Sequence, residues 1–288
     1  MNIVIASGKG GTGKTTIATS LAMVLHESAQ QPLKLLDCDV EAPNAHLVLR
    51  PTFTDIRDAT IAIPQFDKTL CTSCKLCVES CRFNALIMLG DTPQVLHSLC
   101  HGCGNCVLQC PTHAITEVPN AIGQLGAGIT DYGLSCAQGE LTISEPMSSP
   151  VIRQLKDWQL ADEAINILDA PPGASCPVVQ TLRNADFALL VTEPTPFGLH
   201  DLKQIVQVVQ QMKIPHAVII NRSNLAQRII EPFCEENNIP ILLQIPFDKT
   251  TAAQLAAGLA LVDIHPQYRH DMVQILANII ESNKKGGR

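Results

Sequence analysis

Eight of the twelve cysteines form one spacing pattern, which occurs twice in the middle of the chain. The first copy consists of Cys71, Cys74, Cys77 and Cys81, and the second of Cys100, Cys103, Cys106 and Cys110. Each cysteine of the first copy has a counterpart 29 residues later, and Ala85 corresponds to Ala114 at the same offset. We therefore interpret this segment as two copies of one thiol-based binding motif.

The spacing C-x2-C-x2-C-x3-C is the run with which bacterial ferredoxins hold [4Fe–4S] clusters, and in two-cluster ferredoxins the fourth cysteine of each run ligates the other cluster. The pattern predicts two clusters, one bound by Cys71, Cys74, Cys77 and Cys110 and the other by Cys81, Cys100, Cys103 and Cys106. Arg82 stands where the second copy has Pro111. Its guanidinium would either raise the local potential or be solvated.

Zinc and disulfides are the competing interpretations of these cysteines. Zinc sites usually take paired C-x2-C hooks with a long gap between them, unlike the three closely spaced cysteines in each copy. Disulfides would need an oxidising compartment, and Met1 leads directly into an apolar run without a signal-peptide pattern. We therefore expect iron–sulfur clusters in a cytoplasmic protein.

The composition is typical of a globular chain with a large core. Of the 288 residues, 46% are hydrophobic and 16% are charged, which suits one large domain or one domain with a small insert. No apolar stretch approaches the roughly 18 residues that span a bilayer. The formal net charge is −7, and no stripe of lysine and arginine with interleaved aromatic residues occurs. We therefore expect no membrane and no nucleic acid among the partners.

A phosphate-binding loop follows the first apolar run, residues 2–6, which is predicted to be a strand. The segment Gly8-Lys9-Gly10-Gly11-Thr12-Gly13-Lys14-Thr15 matches G-x-x-x-x-G-K-[ST], and it continues through Thr16 into a helical stretch. Its backbone N–H groups and the helix N-terminus would bind the phosphates of ATP or ADP. Lys14 is predicted to reach the β- and γ-phosphates, and the Thr15 hydroxyl is predicted to ligate Mg²⁺.

Further apolar runs, each followed by a helical segment, predict a largely parallel sheet. These runs are residues 33–37, 164–169, 187–192, 217–221 and 241–245. Ligands bind at the carboxyl ends of the strands in such a sheet. Asp169 is therefore predicted to hold Mg²⁺ as a Walker B acid, with a turn role beside Pro171, Pro172 and Gly173 as the alternative.

The order of the motifs predicts a discontinuous nucleotide-binding domain. The predicted fold class is α/β, a P-loop NTPase with a mostly parallel sheet and an inserted small α+β domain of the bacterial ferredoxin type. The nucleotide-binding domain takes residues 1–62 and 120–288, and the insert takes residues 63–119. The glycine-rich stretch 123–128 is expected to mark the return of the chain to the sheet.

Together the motifs resemble the MinD/ParA/Mrp and nitrogenase-iron-protein group, whose deviant Walker A loop carries an extra lysine, here Lys9. The whole chain is similar to the subfamily of MinD-like ATPases with an inserted ferredoxin domain. Residues 37–44 and 169–177 match its two switch regions, and residues 192–201 match a further signature.

This resemblance implies roles for individual residues. Lys9 would reach the phosphates of the partner subunit in an ATP-dependent dimer, formed with a second copy or a paralogue, and Asp39 would orient the attacking water. Asn221 would hydrogen-bond adenine, and Pro246 and Asp248 would flank the base. A turn-forming role is the alternative for Asn221.

We expect an ATPase in which ATP binding closes the dimer, hydrolysis reopens it, and electrons pass through both clusters to a redox or metallocofactor protein. A carrier or scaffold for cluster assembly is one alternative, and a positioning ATPase with redox-sensing clusters is another. The complete four-cysteine sets favour retained clusters over transferred ones. Cys38 and Cys234 are expected to be buried, and so is Cys176, for which ligation of a bridging cluster is the alternative.

Overall fold

The structure is a computed structural model that describes residues 1–28, 31–161, 164–225 and 228–286, with only the backbone described for residues 282–286. Within it the chain divides into two compact units. Unit 1 comprises Met1–Ile56, Leu125–Glu140 and Ile152–Arg288, and unit 2 comprises Arg57–Gln124 and Leu141–Val151. The predicted insert, residues 63–119, lies inside unit 2, which extends further at both ends and includes a second, later segment.

The strands are, in chain order, β1 Asn2–Ala6, β2 Leu33–Asp37, β3 Thr52–Phe66, β4 Leu86–Leu89, β5 Thr92–Val95, β6 Ile115–Ile129, β7 Ser135–Leu141, β8 Ile165–Asp169, β9 Phe187–Thr192, β10 His216–Asn221 and β11 Ile241–Ile245. The helices are α1 Lys14–Ser28, α2 Ala45–Leu49, α3 Leu76–Glu79, α4 Asn105–Leu108, α5 Ser148–Gln159, α6 Cys176–Leu182, α7 Pro196–Gln211, α8 Ile230–Glu236, α9 Lys249–Ala256, α10 Leu261–Ile264 and α11 Tyr268–Gly286. A 3-10 turn spans His97–Leu99.

The larger sheet has the strand order β11-β10-β9-β1-β8-β2-β7-β6-β3. The pairs from β11 across to β7 are parallel. The mostly parallel α/β sheet predicted from the sequence is therefore confirmed. The predicted strand bounds 33–37, 187–192 and 241–245 are also confirmed, whereas β8 begins one residue later and β10 one residue earlier than predicted.

The central strands are apolar on both faces, as parallel strands covered on both sides must be. Every residue of β8 and β9 is buried. Helix α1 packs into the same hydrophobic core, and so does α11 through Met272, Ile275 and Ile279. The C-terminal helix thus packs on its own domain. None of the helices in the described part of the chain has the length and apolar character needed to cross a membrane.

Two long strands explain why the unit boundaries differ from the predicted ones. β3 and β6 have 15 residues each and run through the junctions, so no loop marks the change of unit. The glycine-rich stretch 123–128 lies inside β6. A Cβ at Gly128 would lie 1.9 Å from the Thr52 carbonyl oxygen, so glycine there permits the close approach of β6 to β3.

Unit 2 contains a structural duplication that follows the sequence repeat. Helices α3 and α4 are equivalent at the 29-residue offset, and each begins after a residue with positive φ. The equivalent positive-φ pairs are Ser73 (55°) with Gly102 (61°), Lys75 (66°) with Gly104 (72°), and Asn84 (53°) with His113 (52°). The two copies therefore share one backbone conformation, although the first copy has serine and lysine where the second has glycine.

Candidate nucleotide site and cysteine sites

The nucleotide-binding candidates lie where parallel strands end at one edge of the sheet. The phosphate loop follows β1, Asp37 ends β2, Asp169 ends β8, and Asn221 ends β10. Asp37 lies opposite Asp169 in the parallel register of β2 and β8, so their carboxylates end neighbouring strands. The sheet thus brings together side chains that are far apart in the sequence.

The phosphate loop packs closely against residues of other segments. Gly13 has a φ angle of 98°, and a Cβ there would lie 2.4 Å from Asn221 Nδ2. A Cβ at Gly8 would lie 2.2 Å from the Asp201 carbonyl oxygen. Helix α1 begins immediately after the loop, at Lys14. Larger residues at these two glycines would push the loop away from its neighbours, which accounts for this part of the motif.

Asp37 organises the segment that follows β2. Its buried carboxylate accepts hydrogen bonds from the N–H groups of Asp39, Asn44 and Ala45 at 3.1, 2.8 and 2.9 Å. Burial raises the pKa of Asp37 in spite of these bonds. Burial and the neighbouring Asp37 also raise the pKa of Asp39 to about 6. The carboxyl groups of Asp37 and Asp39 are therefore close enough to interact, and both are poorly solvated.

Thr15 and Asp169 form the predicted magnesium pair. Thr15 Oγ1 donates to Asp169 Oδ2 at 2.5 Å, while Asp169 Oδ1 is buried without a hydrogen-bond partner among the described residues. Burial and the charge of Asp37 hold the pKa of Asp169 well above its ordinary value. Burial lowers the pKa of Lys14, although these carboxylates act against that shift. An unpartnered carboxylate oxygen beside a hydroxyl is a donor set that fits Mg²⁺.

A cavity of about 360 Å³ lies beside the loop, a size typical of small-molecule sites. The predicted residues that line it are Gly10, Gly11, Gly13, Lys14, Thr15, Thr16, Asp39, Asn221, Pro246 and Asp248. Gly8, Lys9, Thr12 and Asp169 lie outside this lining. The structure thus brings the phosphate-binding candidates and the base-flanking candidates around one space.

The backbone engages the amide of Asn221. Its Nδ2 donates to the Thr12 carbonyl oxygen at 2.8 Å, and its Oδ1 accepts from the Arg222 N–H at 2.9 Å. An amide has a second N–H and a second lone pair. Asn221 therefore braces the phosphate loop, and its contact with adenine stays a prediction.

Asp248 has a capping role in addition to its place in the cavity. Its Oδ1 accepts from the N–H and the hydroxyl of Thr251 at 2.7 and 2.8 Å, at the start of α9. Asn224, which sequence reasoning missed, holds the same loop by accepting from the Phe247 N–H at 2.6 Å and donating to the Phe247 carbonyl oxygen at 3.2 Å. An asparagine just beyond a strand end is read from sequence as a turn residue, so no motif indicated this role.

Lys9 takes part in an ion pair that the sequence did not indicate. Its Nζ donates to Glu193 Oε1, and Arg222 Nη1 donates to Glu193 Oε2 at 2.9 Å. Glu193 is only 7% exposed and directly follows β9. Although burial acts in the opposite direction, Lys9 and Arg222 hold the pKa of Glu193 below its ordinary value. The predicted reach of Lys9 into a partner subunit therefore requires this pair to open.

Lys156 is a buried cation that sequence reasoning missed. Its Nζ donates to the carbonyl oxygens of Gln180, Thr181 and Arg183 at 3.0, 2.7 and 2.6 Å. These carbonyl groups lie at the C-terminal end of α6, the helix after the second switch region. Lys156 therefore anchors one end of that helix, while Cys176 at its other end is exposed.

The eight repeated cysteines surround two cavities in unit 2. Site A is the set Cys71, Cys74, Cys77 and Cys110, which lines one cavity. Site B is the set Cys81, Cys100, Cys103 and Cys106, which lines the other. Each site thus combines three cysteines of one copy with the last cysteine of the other. In the part of the chain that the structure describes, no three His, Cys, Asp or Glu side chains converge on the position of a single metal ion.

Backbone N–H groups donate to the last cysteine of each copy. Ala85 N–H donates to Cys81 Sγ at 3.4 Å, and Ala114 N–H donates to Cys110 Sγ at 3.2 Å. Although burial acts in the opposite direction, the hydrogen bonds from Ala114 and Thr112 hold the pKa of the Cys110 thiol below its ordinary value. Burial raises the pKa of Cys106 to about 11. These shifts belong to free thiols, and a thiolate would be favoured by a bound metal.

The cysteines outside the repeats fall into two groups. Cys38 and Cys234 are buried, as predicted, and Cys136 is buried as well. Cys176 is exposed, so the expectation that it packs in the core is wrong. It begins α6, beside Pro177 at the first turn, and this start of the helix points its first side chain to solvent.

The chain matches the family model of the CobQ/CobB/MinD/ParA nucleotide binding domain over residues 3–262. It is 31% identical to an uncharacterized protein of Methanocaldococcus jannaschii over 250 residues, 82% of this chain and 90% of that protein. It is 22% identical to the iron-sulfur cluster carrier protein of Aquifex aeolicus over 302 residues, 97% of this chain and 68% of that protein. The septum site-determining protein MinD of Pyrococcus horikoshii, complexed with Mg-ADP, shares the fold with a TM-score of 0.55 and 18% identity, covering 100% of this chain and 96% of that one. The chain therefore belongs to the CobQ/CobB/MinD/ParA family of nucleotide-binding proteins.

Proposed function

We propose that this protein is an ATP-hydrolysing switch that forms a dimer around ATP and passes electrons through two [4Fe–4S] clusters to a partner protein. The dimer forms with a second copy of the chain or with a paralogue. The observation that carries the proposal is the division of eight cysteines into site A and site B, with four thiols around each cavity.

The nucleotide site supports the first half of the proposal. Lys14 and the phosphate loop would bind the phosphates, and Thr15 with Asp169 would hold Mg²⁺, which supplies charge neutralisation for phosphoryl transfer. Asp39 lines the same cavity and would orient the attacking water. The buried Asp169 and the partly exposed Asp39 have raised pKa values, and a bound cation would stabilise their ionised forms.

The cysteine sites support the second half. Four thiolates are the usual ligand set of a [4Fe–4S] cluster, which supplies storage for one electron. Because each thiolate binds a different iron, the four sulfurs of a cluster lie further apart than the ligands of one ion. Site A and site B each provide such a set, and each contains one exposed cysteine from which an electron could reach a partner: Cys74 in site A and Cys103 in site B.

The iron content tests the cluster assignment. Anaerobically reconstituted protein should hold about eight irons per chain, as two cubes require, and its reduced form should give the electron paramagnetic resonance signal of two interacting clusters. Four irons per chain, or zinc in stoichiometric amount, would contradict the proposal. Cys81→Ser and Cys110→Ser should each damage the cluster whose other three ligands belong to the opposite copy.

A carrier of iron–sulfur clusters is the second candidate function. It is favoured by the similarity to the iron-sulfur cluster carrier protein of Aquifex aeolicus. The two functions differ in what leaves the protein. Mixing the reconstituted protein with an excess of an apo-protein that requires a [4Fe–4S] cluster, with and without ATP, should leave all eight irons in place if the clusters only move electrons. Loss of one or both clusters to the acceptor would favour the carrier.

Nucleotide-dependent potentials test the link between the two activities. Coupling between two sites is reciprocal in free energy, and typical values of about 1–3 kcal/mol correspond to roughly 40–130 mV for a one-electron couple. Cluster potentials are measured without nucleotide, with ADP and with a non-hydrolysable ATP analogue. Nucleotide affinity is compared between oxidised and reduced protein. If the cluster potentials do not depend on the nucleotide and the nucleotide affinity does not depend on the redox state, the clusters are not coupled to ATP. That result would favour the carrier function.

A further inference from the structure

The duplication in unit 2 allows each residue around site A to be compared with its equivalent around site B. We propose that the two clusters have unequal reduction potentials, with the cluster at site A the higher, because Thr112 and Lys75 favour an added electron there and Glu117 opposes one at site B. The inference rests on the proposed function in that it requires both clusters. It adds the order in which they are reduced.

Solvent exposure does not separate the two sites. Each has one buried cysteine, Cys77 in site A and Cys100 in site B, and one exposed cysteine, Cys74 and Cys103. The remaining two cysteines of each site are partly exposed. Because exposure is one of the factors that set a cluster potential, this balance leaves hydrogen bonds and nearby charges to decide the difference.

Hydrogen bonds to sulfur favour reduction at site A. Cys110 Sγ accepts from the Ala114 N–H at 3.2 Å and lies 3.8 Å from Thr112 Oγ1, which donates to it when the sulfur is a thiolate. The equivalent sulfur at site B, that of Cys81, accepts from a backbone N–H at 3.4 Å, and the position equivalent to Thr112 holds Phe83. A donor stabilises the more negative, reduced cluster, so the Thr112 hydroxyl raises the potential of site A.

Nearby charges act in the same direction. Glu117 lines the cavity of site B, and its Oε1 lies 3.4 Å from the position of a Cβ at Gly104, between Cys103 and Cys106. The residue equivalent to Gly104 is Lys75, which lines the cavity of site A. A carboxylate opposes the addition of an electron, whereas an ammonium group favours it.

Two further groups near site B do not reverse this difference. Arg82 is exposed and lies outside the described lining of the site B cavity. His101 lines that cavity, with its ring stacked on Phe83 at 3.8 Å between centroids. Among the carboxylate and ammonium side chains that line the two cavities, the difference therefore rests on Glu117 at site B and Lys75 at site A.

The difference in potential determines which cluster holds an electron. A low-potential one-electron donor reduces either cluster, and an electron that enters at site B passes to site A. The cluster at site B is thereby oxidised as the cluster at site A is reduced, and no bond or proton changes place. Among molecules that hold one electron, we expect at least ten with the electron at site A for each one with it at site B, which corresponds to about 59 mV for a one-electron couple.

An anaerobic redox titration of the full-length reconstituted protein, followed by electron paramagnetic resonance, tests the inference. Wild-type protein should show two midpoints. Glu117→Gln should shift the lower midpoint potential upward and leave the upper midpoint unchanged. Thr112→Val should shift the upper midpoint potential downward and leave the lower midpoint unchanged. Thr112→Ser keeps a hydroxyl and should restore the upper midpoint.

Glu79→Gln is the matched control, because it removes an exposed carboxylate of unit 2 that lines neither cavity. It should leave the gap between the midpoints unchanged. Iron is counted in every variant, so fewer than eight irons in the wild type would contradict the two-cluster proposal itself. Eight irons with coincident midpoints, or a Glu117→Gln variant that moves the upper midpoint, would overturn the inference alone.

Discussion

Units 1 and 2 bury different kinds of side chain. The core of unit 1 is aliphatic and continuous, and it includes Ile3 and Ile5 of β1, Leu21 of α1 and Leu189 of β9. A core cluster around the cysteine sites of unit 2 consists of Cys77, Leu86 and Ile115, and three of the seven partly buried residues packed against it are Cys81, Cys106 and Cys110. In this cluster four of the predicted ligands are therefore also packing residues.

This difference indicates which interactions stabilise each unit. A domain of fewer than about 70–80 residues rarely buries enough apolar surface to fold on that basis alone, and small domains often use a metal centre instead. Unit 2, formed by Arg57–Gln124 and Leu141–Val151, is close to that limit. Unit 1 needs no such help, because its parallel strands are buried on both faces. We therefore expect nucleotide to be optional for folding of unit 1, and the clusters to be required for folding of unit 2.

Removing the iron should give the largest effect. Thiolate–metal bonds in small domains contribute on the order of 10 kcal/mol to folding, which is comparable with the whole stability of a domain. Anaerobic chelation should therefore unfold unit 2 while unit 1 still binds nucleotide. Hydrogen exchange read by mass spectrometry should show amides of α3, α4 and β4 losing protection, with those of β1, β8 and β9 almost unchanged.

Single cysteine variants sharpen this test. Cys77→Ser removes a predicted ligand of site A that is also a core residue, so it should lower the iron content and the exchange protection together. Cys176→Ser replaces an exposed cysteine of unit 1 and should change neither. Full protection of unit 2 in the iron-free protein would mean that its small aliphatic core suffices, and the contrast between the units would disappear.

Lys14→Ala should produce the next largest effect, confined to unit 1. It removes a charge-assisted contact to phosphate, and such contacts contribute about 1.5–3 kcal/mol each. We expect the Kd for ATP to rise by about 100-fold, which calorimetry measures, with iron content and the exchange pattern of unit 2 unchanged. Lys34→Ala is the control, because its Nζ contacts Gln159 in the same unit, outside the cavity. Loss of iron in Lys14→Ala would show that the clusters depend on the nucleotide site.

Substitutions of Lys9 and Glu193 should have smaller effects, and these should change ATP-dependent dimerisation in opposite directions. Lys9→Ala should weaken ATP-dependent dimerisation by about 10-fold or more and change the ATP affinity of the monomer little, because Lys9 lies outside the cavity lining. Glu193→Gln removes the ion pair that holds Lys9 and should strengthen dimerisation by about 5-fold, since partly exposed pairs contribute about 1 kcal/mol. Analytical ultracentrifugation measures both. Dimerisation changing in the same direction in the two variants would exclude a competition for Lys9.

Much of this architecture was predictable from the sequence because it depends on local patterns. The apolar runs located the parallel strands, and the strand–loop–helix context located Lys14 and Thr15. The cysteine spacing predicted the crosswise sets that surround the two cavities, although cluster binding itself stays a prediction. Asp169 was found because acids at strand ends of such sheets converge on ligands.

The remaining features depend on contacts that no local pattern encodes. Glu193 meets Lys9 only because β1 and β9 are neighbours, and Lys156 meets the end of α6 across 24 or more residues of sequence. The compact units differ from the predicted domain bounds because β3 and β6 run through the junctions without a turn. Cys176 was expected to be buried from the behaviour of free cysteines in general, whereas its position at the start of α6 exposes it.

The smallest predicted effect tests whether the nucleotide site itself destabilises unit 1. Burial and Asp37 raise the pKa of Asp39 to about 6 from an ordinary value of 3.8, so the folded state holds this proton more tightly than the unfolded state does. The associated stability is fully present below pH 3.8 and is lost as pH rises through 6. After a discount for the partial exposure of Asp39, the loss is about 1–2 kcal/mol at pH 7.5.

Asp39→Asn removes that penalty, so the nucleotide-free variant should have a Tm a few degrees higher than wild type at pH 7.5, with a smaller difference at pH 5. Glu236→Gln, which removes an exposed carboxylate of α8 outside the cavity lining, should show no such pH-dependent gain. Mg²⁺ and ADP should abolish the advantage, because the bound cation stabilises the ionised carboxylates of the wild type. An advantage that persists with Mg²⁺ and ADP, or that is larger at pH 5, would mean that Asp39 is not held in a destabilising place. The nucleotide site would then not destabilise unit 1.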